Sequence, residues 1–114
     1  MTVLRHFDDS NFQQDVLQAS EQHPVLVDFW APWCGPCRIV GPTIENVANA
    51  TEGQAIVGKL NVDDAPETAA KYSIQSIPTV LVFHEGRVVD SFVGVRPEED
   101  YLEALRRAAA SRAA

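Results

Sequence analysis

The chain contains two cysteines, Cys34 and Cys37, three residues apart. They stand in the run Trp30-Ala-Pro-Trp-Cys-Gly-Pro-Cys37, between a nearly all-apolar segment and one with helical periodicity. At the start of a helix, unpaired backbone N–H groups and the positive end of the helix dipole stabilise an anion. A thiol placed there is shifted toward the thiolate, the form that attacks sulfur. The shift matters because a free thiol is only about 3% thiolate at pH 7. Cys37 falls one turn later and on the same side. Gly35 has no side chain to obstruct an approaching disulfide. Pro36 is tolerated in the first turn and stiffens the loop.

On residue types alone, three other uses of the pair stay open. A structural disulfide closing a loop of about four residues contributes roughly 2 kcal/mol, against nearly 5 for a long loop. A zinc site needs three or four protein ligands; no second cysteine pair exists, and His6, His23 and His84 lack ligand spacing. Two buried, inert thiols are the third. Dithiol exchange accounts for the spacing, the helix start and the Gly-Pro spacer together.

The elements that must position this pair follow from the apolar pattern. Val3 to Phe7 reads as a short strand. Asp9 or Ser10 caps a helix running to about Glu21, Ser10 and Gln13 resembling a capping box, with Phe12, Val16 and Leu17 on one face. Val25 to Trp30 reads as a central strand buried on both faces. A helix follows from about Cys34 to Ala50, with Ile39, Val40, Ile44 and Val47 as its stripe and a kink expected at Pro42. Gln54 to Asp63 reads as a strand, and Ala65 to Tyr72 as a short helix with Pro66 in its first turn. Thr79 to Phe83 and Arg87 to Phe92 read as strands joined by a tight hairpin at Glu85-Gly86. Pro97 to Ala109 is the last helix, its inner face Tyr101, Leu102 and Leu105. The order βαβαβαββα implies an α/β fold, a central mixed sheet flanked by helices with an antiparallel edge.

At 114 residues the chain is expected to form a single domain, 1–114, with 108–114 as an Ala-rich fraying tail. It is 46% hydrophobic and 22% charged, which fits a globular protein. Nine Lys and Arg oppose sixteen Asp and Glu, for a net charge of -7. That balance lacks the basic footprint of a nucleic-acid binder and does not favour anionic membranes. No apolar run reaches the roughly 20 residues of a membrane span. The first residues show no apolar signal core, so a cytoplasmic location is expected; a trimmed mature form would look the same.

Taken whole, the sequence resembles the thioredoxin family along essentially its full length. The strongest block is Val27-Asp-Phe-Trp-Ala-Pro-Trp-Cys-Gly-Pro-Cys-Arg38, followed by Pro42, Lys59-Leu-Asn-Val-Asp63, Ile77-Pro-Thr79, Gly86 and Gly94. The resemblance implies a thioredoxin fold and a protein-disulfide reductase, with a redox-active Cys34–Cys37 disulfide and no bound cofactor or metal. It implies catalytic roles for Cys34, an exposed nucleophile, for Cys37, which resolves the mixed disulfide, and for Asp28, a buried carboxylate that helps deprotonate Cys37. Lys59 matches the partner of that carboxylate. Trp30 resembles the tryptophan beneath the site, and Pro78 a cis proline packed beside the cysteines. Trp33, Gly35, Pro36, Val62, Ile77, Pro78, Val93, Gly94 and Val95 match an apolar docking surface; for Val62 and Val93 a plain core position competes. The partners implied are disulfide-containing target proteins and a flavin-containing thioredoxin reductase using NADPH, with the chain acting as a monomer in electron transport and cell redox homeostasis.

The departures from the family pattern are modest. Ser76 stands where Gly is common, Val95 where Ala is common, and Arg38 replaces a common Lys. The spacer holds no His, a residue that oxidising relatives often carry there, which favours a reductant over an oxidase or isomerase. A binding subunit or chaperone without turnover is the alternative of a different class.

Overall fold

The structure, a computed structural model, describes residues 3–111. Five strands form one sheet in the order β1-β3-β2-β4-β5. They are β1 (Arg5–Phe7), β2 (Val25–Trp30), β3 (Ile56–Asn61), β4 (Thr79–His84) and β5 (Arg87–Val93). β1 and β2 each pair with β3 in parallel; β4 runs antiparallel to β2 and β5. The helices are α1 (Gly35–Ala50), α2 (Pro66–Lys71) and α3 (Glu98–Ala110), with an N-terminal helical segment over residues 13–21.

The sheet is covered on both faces, which is why β2 carries an unbroken apolar run. On one face α1 supplies Val40, Ile44 and Val47, and α3 supplies Tyr101, Ala104, Leu105 and Ala108. These pack on Leu26, Val57, Val80, Val82 and Phe92. On the other face Phe12 and Val16 meet Val25, Val27, Phe29, Leu60, Leu81 and Phe83. Each Val, Leu, Ile or Phe among them, fully removed from water, contributes about 1.5–3 kcal/mol.

The sequence reading of these elements needs four corrections. Ile39 is 63% exposed and does not belong to the α1 stripe. The N-terminal segment is wound with wide turns over Gln13–Gln18 and tight ones over Ala19–Glu21. Neither Asp9 nor Ser10 caps it: its N-cap is Phe12, without a side-chain cap, and Asp8 holds the turn before it by accepting from the Ser10 and Asn11 amides at 2.8 and 3.0 Å. Ala108, assigned to the tail, is buried core; α3 continues to Ala110, and 112–114 lie outside the described residues.

The β4–β5 hairpin turns at Glu85 and Gly86, both at positive φ, 54° and 80°. Two such residues give the turn a twist that matches the strands. Val82 pairs with Asp90 and Phe83 with Val88, so Val89 is an extra residue in β5. Among the described residues no helix is long and apolar enough to cross a membrane.

Candidate active site

Cys34 is the N-cap of α1, with extended backbone, φ -90° and ψ 111°. Pro36 fills the first turn, where a missing N–H costs no hydrogen bond. Cys34 and Cys37 form a disulfide with Cα atoms 5.3 Å apart. The Cys37 amide donates to the Cys34 sulfur at 3.2 Å. That amide is one of the unpaired donors of the helix start, aimed at the atom that carries negative charge after reduction. The Cys34 sulfur also lies 3.7 Å from the Ile77 carbonyl oxygen.

The expected exposure of Cys34 is not found in this oxidised form. It is 4% exposed and Cys37 3%, so a substrate must reach the sulfur over the rim. That rim is exposed Trp33, Gly35 and Pro36. The Trp33 side chain is 68% exposed, and its indole N–H donates to Asp63 at 3.0 Å. Val93 is 58% exposed and Val95 50%, while Val62, Ile77 and Gly94 are half-buried. Val93 is therefore not core. Pro78, expected on the docking surface, is itself buried. Its peptide bond with Ile77 is cis, and its carbonyl accepts from the Gly94 amide at 2.9 Å. Gly94 takes φ +87°, a conformation costly for residues with a Cβ.

Asp28 sits in the middle of β2 and is fully buried. Its neighbours Leu26 and Trp30 share its face of the strand, the face that α1 covers. Among the described residues neither carboxylate oxygen has a hydrogen-bond partner. Burial pushes its pKa up to about 7, offset in part by the charge of Lys59. Lys59 is Asp28's register partner on β3. Its ammonium rests over the Trp30 ring, 4.1 Å from the centroid. Trp30, Cys37, Gly41, Pro42 and Lys59 line a groove between α1 and β3. α1 runs through Pro42 as one helix.

The structure thus joins Cys34 to Cys37 and sets Cys37, Trp30 and Lys59 around one groove, with Asp28 the register partner of Lys59. Sequence reasoning gave no role to Asp63, although it ends the block Lys59-Leu-Asn-Val-Asp63. It read Tyr101 only as an apolar inner face. Among the described residues, no group of three or more His, Cys, Asp or Glu is placed to hold a metal.

A redox-capable cysteine pair at a helix start, on a mixed α/β sheet that holds a buried carboxylate, defines a protein-disulfide oxidoreductase. The thioredoxin family profile matches residues 3–107. A thioredoxin of Synechocystis sp. is 44% identical over 107 residues, covering 94% of this chain and 98% of its own. One from Chlorobaculum thiosulfatiphilum is 52% identical over 90 residues, 79% of this chain and 82% of its own. One from Staphylococcus aureus is 47% identical over 97 residues, 85% and 89% of the two chains. The chain belongs to the thioredoxin family, and its activity is reduction of protein disulfides by dithiol–disulfide exchange.

Proposed function

We propose the following division of labour. In the reduced protein the Cys34 thiolate attacks one sulfur of a target disulfide. A mixed disulfide forms, and the first target sulfur leaves as a thiolate and takes a proton from water. The Cys37 thiol then gives its proton to the Asp28 carboxylate and attacks the Cys34 sulfur. The Cys34–Cys37 bond forms, the mixed disulfide breaks, and the second target thiolate leaves and takes a proton from water, while Asp28 releases the Cys37 proton to solvent. Two electrons pass to the target and two protons are balanced.

The observation that carries this reading is the placement of Cys34 as the cap of α1, with the Cys37 amide on its sulfur. Asp28, raised to about 7, supports a role as base near neutral pH. Lys59 tempers its charge and Trp30 covers it. Trp33, Gly35, Pro36, Val62, Ile77, Val93, Gly94 and Val95 form the docking rim, with Pro78 beneath shaping the Ile77 backbone. An extended target peptide can add beside Ile77 like a strand. The disulfide is returned to the dithiol by a flavin-containing thioredoxin reductase with NADPH, and the protein works as a single-domain monomer in the cytoplasm.

The test is the reduction potential of the Cys34–Cys37 couple, read by equilibration with glutathione and dithiothreitol buffers. About 30 mV corresponds to 1.4 kcal/mol for this two-electron couple. A potential well below that of glutathione is expected. A value near or above it would make the protein an oxidase or isomerase instead.

A further inference from the structure

Both Asp28 carboxylate oxygens and the Tyr101 hydroxyl are buried without a hydrogen-bond partner in good geometry among the described residues. Both residues are 0% exposed. Leaving such groups unpaired is costly, most of all for a charged one. The topology relates them. Lys59, Asp28, Val80 and Phe92 are successive register partners across β3, β2, β4 and β5. Register partners project from the same face of a sheet, so the four side chains make one row under α1 and α3. The Tyr101 ring meets Phe92 edge-on, centroids 5.4 Å apart and planes at 83°. It packs in the same cluster as Val80, the direct neighbour of Asp28.

The chemistry of the two groups is complementary. An ionised carboxylate only accepts hydrogen bonds, and a phenol can donate. The cation on Asp28's other flank, Lys59, is engaged with Trp30. The groups also feel one another. Burial and the Asp28 charge both push the Tyr101 phenol up, Asp100 adds to this, and the Arg96 backbone and guanidinium act in the opposite sense.

We propose that Tyr101 is a positioning residue for the resolving step: its hydroxyl donates, through one internal water, to the charged Asp28 carboxylate and so keeps a base ready for the Cys37 proton. This rests on the reading of Asp28 as that base. Tyr101 thus acts from α3, a helix that contributes none of the other site residues.

Tyr101→Phe removes the hydroxyl and keeps the ring on Phe92. The measurement is carbon-13 NMR titration of the Asp28 carboxyl in the reduced protein, with stopped-flow rates of both exchange steps. Without its donor the charged form is less favoured, so the Asp28 midpoint is expected to rise by about one pH unit. Resolution by Cys37 is expected to slow about fivefold at pH 7, as the carboxylate fraction falls. First attack by Cys34 and the Tm stay near wild type. An unmoved midpoint overturns the proposal, and so does a moved midpoint with unchanged resolution. Asp28→Asn is measured in parallel. If it leaves resolution unchanged, the base reading itself has failed. If it slows resolution while the Tyr101→Phe midpoint stays put, only the Tyr101 proposal has failed.

Discussion

Asp28 and Lys59 are register partners on adjacent parallel strands, yet they do not form an ion pair: the ammonium sits 4.1 Å over the Trp30 ring, and among the described residues neither carboxylate oxygen has a hydrogen-bond partner. Burial is therefore the larger influence on the carboxyl, and Lys59 only moderates it. A direct pair would have held the group ionised and made it a weak base. Held off, the carboxyl titrates near neutral pH, where it can both take and return a proton.

Asp28 should accordingly lower stability in a pH-dependent way. In the unfolded chain it ionises near 3.8, in the folded protein near 7. Between these values the unfolded state is charged and the folded state is not. The unfolded state then binds fewer protons, so stability falls as pH rises and levels off above about 7. Asp28→Asn removes that slope. Its gain at pH 8 is limited to roughly 4 kcal/mol, less the cost of burying the amide, and is near zero at pH 4. Denaturant melts at the two pH values check this. The same variant should slow resolution by Cys37 more than first attack by Cys34; equal slowing of both steps in stopped-flow would refute the assignment.

Lys59→Met deletes the moderating charge and leaves a flexible apolar side chain against Trp30. The Asp28 midpoint should climb above 7, and resolution should slow at pH 7 but recover toward pH 9. The pH–rate profile of the resolving step reads this directly. A profile that superimposes on wild type would mean that Lys59 has no influence on the base.

The limits of the sequence show in particular residues. The Cys34–Cys37 site was legible because its logic is local: cap, dipole, spacing and a proline all lie within four positions. β2 was legible because a strand covered on both faces is built almost wholly of apolar residues. Ile39 was misplaced because helical periodicity cannot show that α1 leaves its active-site flank open. Asp9 was misread because its true partner is 59 residues away, on α2. Tyr101 passed as plain core because only the tertiary structure sets its ring on Phe92, in the row of register partners that includes Val80 and Asp28. Val93 was ambiguous since β5 is an edge strand, where one face is left to solvent.

The two cysteines should separate by trapping. Cys37→Ser leaves the first attack intact and removes the resolving thiol, so a target stays bound through Cys34 as a mixed disulfide that dithiothreitol releases. Cys34→Ser abolishes turnover and traps nothing, while non-covalent target binding persists. Mass spectrometry of the two variants after incubation with an oxidised protein substrate distinguishes them. Trapping through Cys37 in the Cys34→Ser variant would reverse the assigned order.

Trp33 is a large exposed aromatic whose indole N–H donates to the Asp63 carboxylate, 3.0 Å from one oxygen and 3.4 Å from the other. Holding it fixes the rim before a target arrives, which lowers the ordering cost of binding. Asp63→Ala should free the indole while leaving the thiols untouched. A bond of this kind is worth about 1 kcal/mol, so KM for a protein disulfide should rise roughly fivefold with kcat nearly unchanged. Steady-state kinetics with a protein substrate and with a small disulfide such as oxidised glutathione make the check. The effect should be confined to the protein, which alone is large enough to use the rim.

Asp9 should respond to pH with the opposite sign to Asp28. α2 is only six residues long, and its N-cap, Ala65, has no side chain that can cap it. Asp9 supplies the cap from across the chain: its carboxylate accepts from the Thr68 amide at 2.9 Å, the Thr68 hydroxyl at 2.7 Å and the Glu67 amide at 3.2 Å. These bonds, the Thr68 hydroxyl foremost, hold the carboxyl below its usual range. Its contribution is present above the unfolded-state value and is lost as pH falls through the lower folded-state value. Asp9→Ala should therefore lower the Tm at pH 7 and converge on wild type in strong acid, with disulfide exchange unaffected. Asp9→Asn keeps an acceptor without the charge and should fall between. A Tm for Asp9→Ala equal to wild type at pH 7 would show that α2 holds without this cap.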